Sequence, residues 1–126
     1  MGIKLDSFDN RVFIDEMVSA GDRIVCDREQ TIYTAGAPAQ NLYLLEQGLI
    51  DCSEHGVVRF SLTIPGELFG WACFREDRVH RATAVSKTIS SVIQIPVASA
   101  IHTLDRHKET AEELHRRLEH HFSGIL

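Results

Sequence analysis

Short β-rich segments separated by turn residues dominate the middle of this chain. Seven of them lie between Arg23 and Pro96, and they read RIVC, TIYTAG, LYLLEQG, LIDCS, VVRFSLTI, ATAVS and SSVIQIP. Glycine, proline, asparagine or charged residues separate the segments, as expected where strands end in turns. A chain with this many short strands has to close its sheets on one another, which predicts a sandwich, a jelly roll or a small barrel.

The clearest local prediction is a β-hairpin in IDCSEHGVVRFSLTI, with its turn at His55-Gly56. After the turn, apolar and polar residues alternate. The apolar residues are Val58, Phe60, Leu62 and Ile64. Since successive side chains of a strand point to opposite faces, this pattern predicts one face in the core and one face in water.

Helical patterns flank the β-rich segments. FIDEMVSAG predicts a short amphipathic helix before them, because Phe13 and Met17 share one helical face. Pro96 suits the start of a helix, so VASAIHTL predicts a second helix and KETAEELHRRLEHHF a third. The apolar residues of the third helix recur at three- and four-residue steps and are Ala111, Leu114, Leu118 and Phe122.

The last helix leaves two packings open. Leu104, Ala111 and Leu118 fit a heptad, but His107 and His121 occupy the alternate positions of the seam, which argues against a coiled coil. The helix either packs back on its own β-roll or mediates a homodimer.

Composition restricts the partners of the chain. It has 126 residues, with 18 acidic and 13 basic side chains and a formal net charge of −5. This length suits one domain, and the negative charge disfavours nucleic acid and anionic membranes as main partners. No apolar run approaches the roughly 20 residues of a membrane span, and the start MGIKLDSFDN lacks the pattern of a secretion signal. We therefore expect one cytoplasmic domain over residues 1–126.

The cysteines predict neither a disulfide framework nor a metal site. Cys26, Cys52 and Cys73 are odd in number, far apart and set in apolar or strand-like surroundings. A metal site would need a cluster of ligands, and neither these spacings nor the histidines supply one. We expect buried, reduced thiols and no cofactor.

Four stretches in a fixed order give the chain a family resemblance. AGAPAQNLYLLEQG, IPGELFG, HRATAVSKT and SSVIQIP resemble successive segments of the cyclic nucleotide-binding domain, as found in catabolite activators and kinase regulatory subunits. The resemblance implies a mainly β jelly-roll, a double-stranded β-helix over residues 23–96. It also implies an N-terminal helix and two C-terminal helices over residues 97–122. The chain resembles a divergent, single-domain bacterial member.

The resemblance also implies a phosphate-binding cassette. A cyclic phosphate is a monoanion that needs backbone N–H donors and a cation, and Gly66 and Gly70 would let the chain approach it closely. Arg81 follows Gly70 by 81 − 70 = 11 positions, similar to the separation in catabolite activators, and a guanidinium can bind phosphate bidentately. The predicted ligand-binding residues are Gly66, Glu67, Gly70, Trp71, Ala72, Arg81, Ala82 and Thr83.

Trp71 departs from the pattern. The nucleotide-binding relatives usually carry glutamate at this position, where it accepts a hydrogen bond from the ribose 2′-hydroxyl. An indole has no acceptor, so Trp71 cannot replace that carboxylate, and Glu67 lies too early in the turn to be assumed a substitute. Trp71 either fills the pocket as core or offers a flat wall to another small anion or a partner segment.

A second departure concerns output. Transcription factors of this superfamily continue into a helix-turn-helix domain, whereas this sequence ends at FSGIL. We therefore expect no nucleic-acid partner and a module that acts through its own association or through a protein partner.

Three functional hypotheses follow. The first is a non-catalytic sensor that binds cyclic AMP, cyclic GMP or another small anion and signals through its C-terminal helices. The second is a ligand-free interaction module in which Trp71 plugs the pocket and Leu114 and Leu118 mediate dimerisation. The third is a cupin-like enzyme, which would need a metal-binding histidine pair, whereas His55 and His80 stand apart in the sequence.

Overall fold

The fold is a β-roll with helices on one side. The computed structural model describes residues 2–122, with the backbone alone for His121 and Phe122. The strands are β1 (Ile3–Lys4), β2 (Asp22–Cys26), β3 (Gln30–Tyr33), β4 (Asn41–Gln47), β5 (Ile50–Glu54), β6 (Val57–Leu62), β7 (Glu67–Phe69), β8 (Thr83–Ser86) and β9 (Ser90–Pro96). The α-helices are α1 (Arg11–Ser19), α2 (Val97–Arg106) and α3 (Lys108–Phe122).

Two antiparallel sheets face each other. The larger has the strand order β1-β7-β4-β9-β2, and the smaller has the order β3-β8-β5-β6. All seven β-rich segments of the sequence form strands, with one helix before them and two after. The predicted mainly β roll with flanking helices is confirmed.

Two apolar clusters hold the roll together. We call the first the helix-side core; it lies between the larger sheet and the helices and includes Phe13, Met17, Leu42, Leu44, Trp71, Ile93, Ile95, Ala100 and Leu114. The second, the roll interior, joins the two sheets and consists of Cys26, Tyr43, Leu45, Ile50, Cys52, Leu62, Phe69, Ala84 and Val92. Successive β4 residues alternate between the clusters, so the larger sheet is buried on both faces.

The strands β1 and β7 were not predicted. They are two and three residues long and pair antiparallel, with Ile3 opposite Leu68. Beyond β1, Leu5 N–H donates to Gly66 C=O at 2.9 Å. These strands are too short to show a period of two, and Pro65-Gly66 makes the start of β7 look like a turn.

The β5–β6 hairpin turns where the sequence predicts, but its apolar face is only half buried. His55 and Gly56 both have positive φ, at 52° and 78°, as a two-residue hairpin turn requires. Leu62 is buried, whereas Val58 is 51% exposed and Ile64 46% exposed. A register shift near Ser53, together with the position of β6 at the sheet edge, carries the outer part of the hairpin beyond the core.

The last helix packs on its own chain. Leu114 is buried in the helix-side core, and Leu118 packs against that core. Arg117 Nη1 donates to Ser7 Oγ at 2.6 Å, and its guanidinium lies 4.1 Å from the centre of the Phe8 ring. Leu114 is therefore not available as an exposed dimer contact. The predicted apolar position Phe122 and the seam position His121 lie outside the described side chains.

Candidate ligand site

A cavity of about 480 Å³ lies at one side of the roll. Its walls come from β3, β5, β6, β7, the 3₁₀ turn Trp71–Phe74 and the loop that includes His80 and Arg81. This volume is in the range of small-molecule sites. The cavity includes most of the predicted cassette, namely Glu67, Gly70, Trp71, Ala72, Arg81 and Ala82.

Gly66 and Thr83 do not line this cavity. Gly66 N–H donates to Leu45 C=O at 2.7 Å, so its amide is bound to strand β4. Thr83 Oγ1 accepts from Ala35 N–H at 3.0 Å, which ties β8 to the loop after β3. Gly66 and Thr83 therefore lie outside the lining of this cavity, and their role in ligand binding stays a prediction.

Gly70 sets the direction of the chain into the cavity wall. Its φ is 83°, and it directly precedes the 3₁₀ turn Trp71–Phe74. A Cβ at this position would lie 2.8 Å from Cδ2 of Tyr43. Glycine is therefore required both by the left-handed backbone and by the close approach to the Tyr43 ring.

Trp71 is buried, yet the cavity remains. The residue is 6% exposed, belongs to the helix-side core and also lines the cavity. Its ring centre lies 6.2 Å from that of Phe74. Trp71 thus has the buried position that the core-filling interpretation predicts, but about 480 Å³ of space persists beside it. A pocket completely plugged by Trp71 does not agree with this geometry.

Arg81 differs from the other cavity arginines in its electrostatic surroundings. Arg59 Nε lies 3.7 Å from Glu54, and Arg75 Nε lies 3.3 Å from Asp77. Arg81 is exposed at the cavity, and no carboxylate within residues 2–122 lies within ion-pair distance of it. The pKa of Asp77 is lowered mainly by the hydrogen bond from Val79 N–H, then by Arg75, and least by the charge of Arg81. A free guanidinium beside open space is the arrangement that an anion needs.

Glu67 has a role in the turn. Its side chain is buried, and Ile64 N–H donates to Oε1 at 3.1 Å. The carboxylate therefore closes the turn that leads into β7. It lines the cavity as well, but part of its accepting capacity is already used.

Two further aromatic residues of the lining, Tyr33 and His80, were not among the predicted site residues. Their rings stack with centres 3.8 Å apart and planes within 9° of each other. Burial lowers the pKa of His80, so its imidazole is neutral at pH 7, and burial raises the pKa of Tyr33 well above its ordinary value. Because His80 directly precedes Arg81 in sequence, its position in the site could have been predicted. Tyr33 faces the cavity because of the pairing of its strand, and no local sequence pattern indicates this.

The three cysteines are free and buried, as expected. Burial raises the pKa of Cys52 and of Cys73 to about 12, so both are unreactive thiols at neutral pH. Between Gly2 and Phe122, no three His, Cys, Asp or Glu side chains are grouped to hold a metal ion. In the same range, no helix is long and apolar enough to cross a membrane.

Solved structures share this fold. The Thermus thermophilus catabolite activator protein gives a TM-score of 0.77 at 21% identity, over 96% of this chain and 59% of that chain. The sensor domain of the transcriptional regulator DNR from Pseudomonas aeruginosa gives 0.76 at 17% identity, over 92% and 83%. The cAMP-bound structure of PfPKA-R gives 0.78 at 17% identity, over 92% and 39%. The chain thus spans little more than half of the Thermus protein.

A comparison with curated proteins finds no match. The cyclic nucleotide-binding domain family, in contrast, matches residues 23–107, from the second strand to the end of α2. This match covers well over half of the 126 residues and includes every residue of the cavity lining except Gly2. The chain therefore belongs to the cyclic nucleotide-binding domain family.

Proposed function

We propose that this chain is a non-catalytic regulatory module that binds a small anion in its cavity and holds it at Arg81. The proposal rests on which arginines of the cavity lining have a carboxylate partner. Arg59 and Arg75 have carboxylate partners, whereas Arg81 has no such partner among residues 2–122 and borders about 480 Å³ of space.

The charge balance of the lining supports an anion of low charge. Besides the three arginines, the lining includes the carboxylates of Glu54 and Glu67. A dianion or polyphosphate would meet these acidic groups after satisfying Arg81. A monoanion gains the bidentate interaction with the guanidinium and adds no second charge to the site.

Cyclic AMP and cyclic GMP are the first ligands to test. Both are monoanions, and PfPKA-R, which shares the fold, binds cAMP. Trp71 stands where nucleotide-binding relatives usually carry glutamate, so a ribose 2′-hydroxyl would lack that acceptor here. An unsatisfied buried hydroxyl costs about 1 to 3 kcal/mol, or about tenfold or more in affinity. Binding of a cyclic nucleotide would therefore be weak.

Trp71 also provides a route from the cavity to the C-terminal helices. It lines the cavity and belongs to the same apolar cluster as Ala100 of α2 and Leu114 of α3. A ligand that contacts Trp71 changes the packing at the edge of this cluster. Signalling then requires that the ligand bind one arrangement of α2 and α3 more tightly than another.

A titration of the purified chain with cyclic AMP, cyclic GMP and inorganic phosphate tests the proposal. Trp71 is the one tryptophan of the sequence, so its fluorescence reports on the cavity directly. We expect saturable binding of at least one anion and a loss of about ten- to a hundredfold in affinity in Arg81→Ala.

Arg28→Ala is the matched control. Arg28 is exposed and lies outside the cavity lining, so its removal changes the net charge equally without touching the site. Equal losses in the two variants would indicate non-specific attraction. Absence of binding by all three anions at about 1 mM, with an unchanged circular dichroism spectrum, would exclude cyclic nucleotides and phosphate as the ligand; the proposal itself would fail if no other small monoanion bound in an Arg81-dependent manner.

A further inference from the structure

Aromatic side chains from both sheets converge on the cavity. Tyr33 and Phe60 come from the smaller sheet and Phe69 from the larger one, while Trp71 and His80 come from the cassette. The Tyr33 and His80 rings are already stacked face to face, which holds both in fixed orientations. Several rigid rings around one space provide contact for a flat ligand with little loss of side-chain freedom.

The polar groups of the same lining are mostly engaged. Ser61 Oγ donates to Asp51 Oδ1 at 2.6 Å, and Glu54 pairs with Arg59. Glu67 accepts from Ile64 N–H. Within residues 2–122, each lining carboxylate therefore already has a partner. A ligand rich in hydroxyl groups would have to compete for these acceptors or leave its own donors unpaired.

We infer that the ligand class of this cavity is a planar aromatic carboxylate without a sugar, with its ring among Tyr33, Phe60, Trp71 and His80 and its carboxylate at Arg81. The inference rests on the proposed function and narrows it. Trp71 is then the residue that determines specificity, because it replaces an acceptor for a sugar hydroxyl by an aromatic surface.

Isothermal titration calorimetry with four probes separates the contributions of the aromatic ring, the negative charge and the sugar to binding. 2-Naphthoate carries both an aromatic ring system and a carboxylate. 2-Naphthamide keeps the rings without the charge, decahydro-2-naphthoate keeps the charge on saturated rings, and cyclic AMP carries the sugar. We expect 2-naphthoate to bind about tenfold or more tightly than each of the other three.

Three variants locate the contacts. Arg81→Ala should weaken 2-naphthoate by about tenfold or more and leave 2-naphthamide unchanged. Trp71→Leu keeps an apolar side chain at the site and should reduce the preference for 2-naphthoate over decahydro-2-naphthoate by several-fold. If Trp71→Leu does not fold, Phe60→Leu serves the same purpose, because Phe60 is only partly buried and lies on the edge strand β6.

The outcomes distinguish this inference from the proposed function. Cyclic AMP binding that exceeds 2-naphthoate binding and depends on Arg81 would overturn the sugar-free aromatic carboxylate as the ligand class while leaving the anion site intact. Equal binding of 2-naphthoate and decahydro-2-naphthoate would likewise overturn it, because an apolar space alone would then explain the affinity. If cyclic AMP, cyclic GMP, phosphate and 2-naphthoate all fail to bind, the inference and the proposed function both fail.

Discussion

The helix-side core and the roll interior are built differently, although they share the larger sheet. The helix-side core is closed by aliphatic and aromatic residues of three helices, and Leu42, Ile95 and Ala100 in it are completely buried. The roll interior borders a cavity of about 480 Å³, whose walls include charged and aromatic side chains. Leu45, Ile50 and Cys52 of the roll interior are completely buried as well, so the two regions differ in the cavity beside the roll interior and not in the burial of their central residues. Trp71 lies at their boundary, in the core and in the cavity wall.

The largest expected effect tests the closed region. Leu114→Ala removes a buried side chain that connects α3 to the helix-side core. We expect a loss of about 2 to 5 kcal/mol in the free energy of unfolding, because the surrounding side chains cannot fill the space fully. Urea denaturation followed by circular dichroism measures this loss.

Phe60→Ala is the corresponding substitution in the wall of the cavity. Phe60 is partly buried and already borders the cavity, so its removal enlarges an existing space and exposes less core. The loss of stability should be smaller than that for Leu114→Ala, although a larger side chain is removed. A larger loss for Phe60→Ala would contradict the contrast between the two regions.

A further prediction concerns the backbone at Gly70, next to Trp71 at the boundary between the helix-side core and the roll interior. Gly70→Ala places a methyl group 2.8 Å from the Tyr43 ring at a positive φ, whereas Gly36→Ala at a similar φ meets nothing within 4 Å. Gly36→Ala should cost about 1 kcal/mol from backbone strain alone. Gly70→Ala should cost about 2 to 3 kcal/mol, since overpacking is added to the strain. Equal losses in thermal denaturation would show that Tyr43 yields without cost.

Much of this fold could be predicted because the sequence pattern depends on local burial. β4 reads as a continuous apolar run, which fits a strand buried on both faces, and the seven predicted segments form strands. β1 and β7 could not be predicted, because strands of two or three residues are too short to show the alternation of apolar and polar residues. The exposure of Val58 depends on a register shift against β5, which the sequence of one strand does not reveal.

The site was less predictable than the fold. Gly70, Trp71 and Arg81 could be found because they lie close together in one stretch with a recognisable spacing. Gly66 lies in the same stretch, but its amide donates to Leu45, and this contact depends on tertiary structure. Tyr33 reaches the cavity from a strand far away in sequence, so only the pairing of β3 with β8 places it there.

The smallest expected effect concerns His80, whose buried ring belongs to the open region. Burial lowers its pKa in the folded state below the ordinary 6.5, so the unfolded chain binds a proton more readily. The stability due to the neutral imidazole is therefore fully present above pH 6.5 and is lost as the pH falls through the folded-state value. His80→Phe keeps a ring against Tyr33 and should flatten the decline in unfolding free energy between about pH 7 and 5. Equal declines in the two proteins, measured by urea denaturation at each pH, would show that the folded ring is as easily protonated as the unfolded one, and that this wall of the cavity is effectively hydrated.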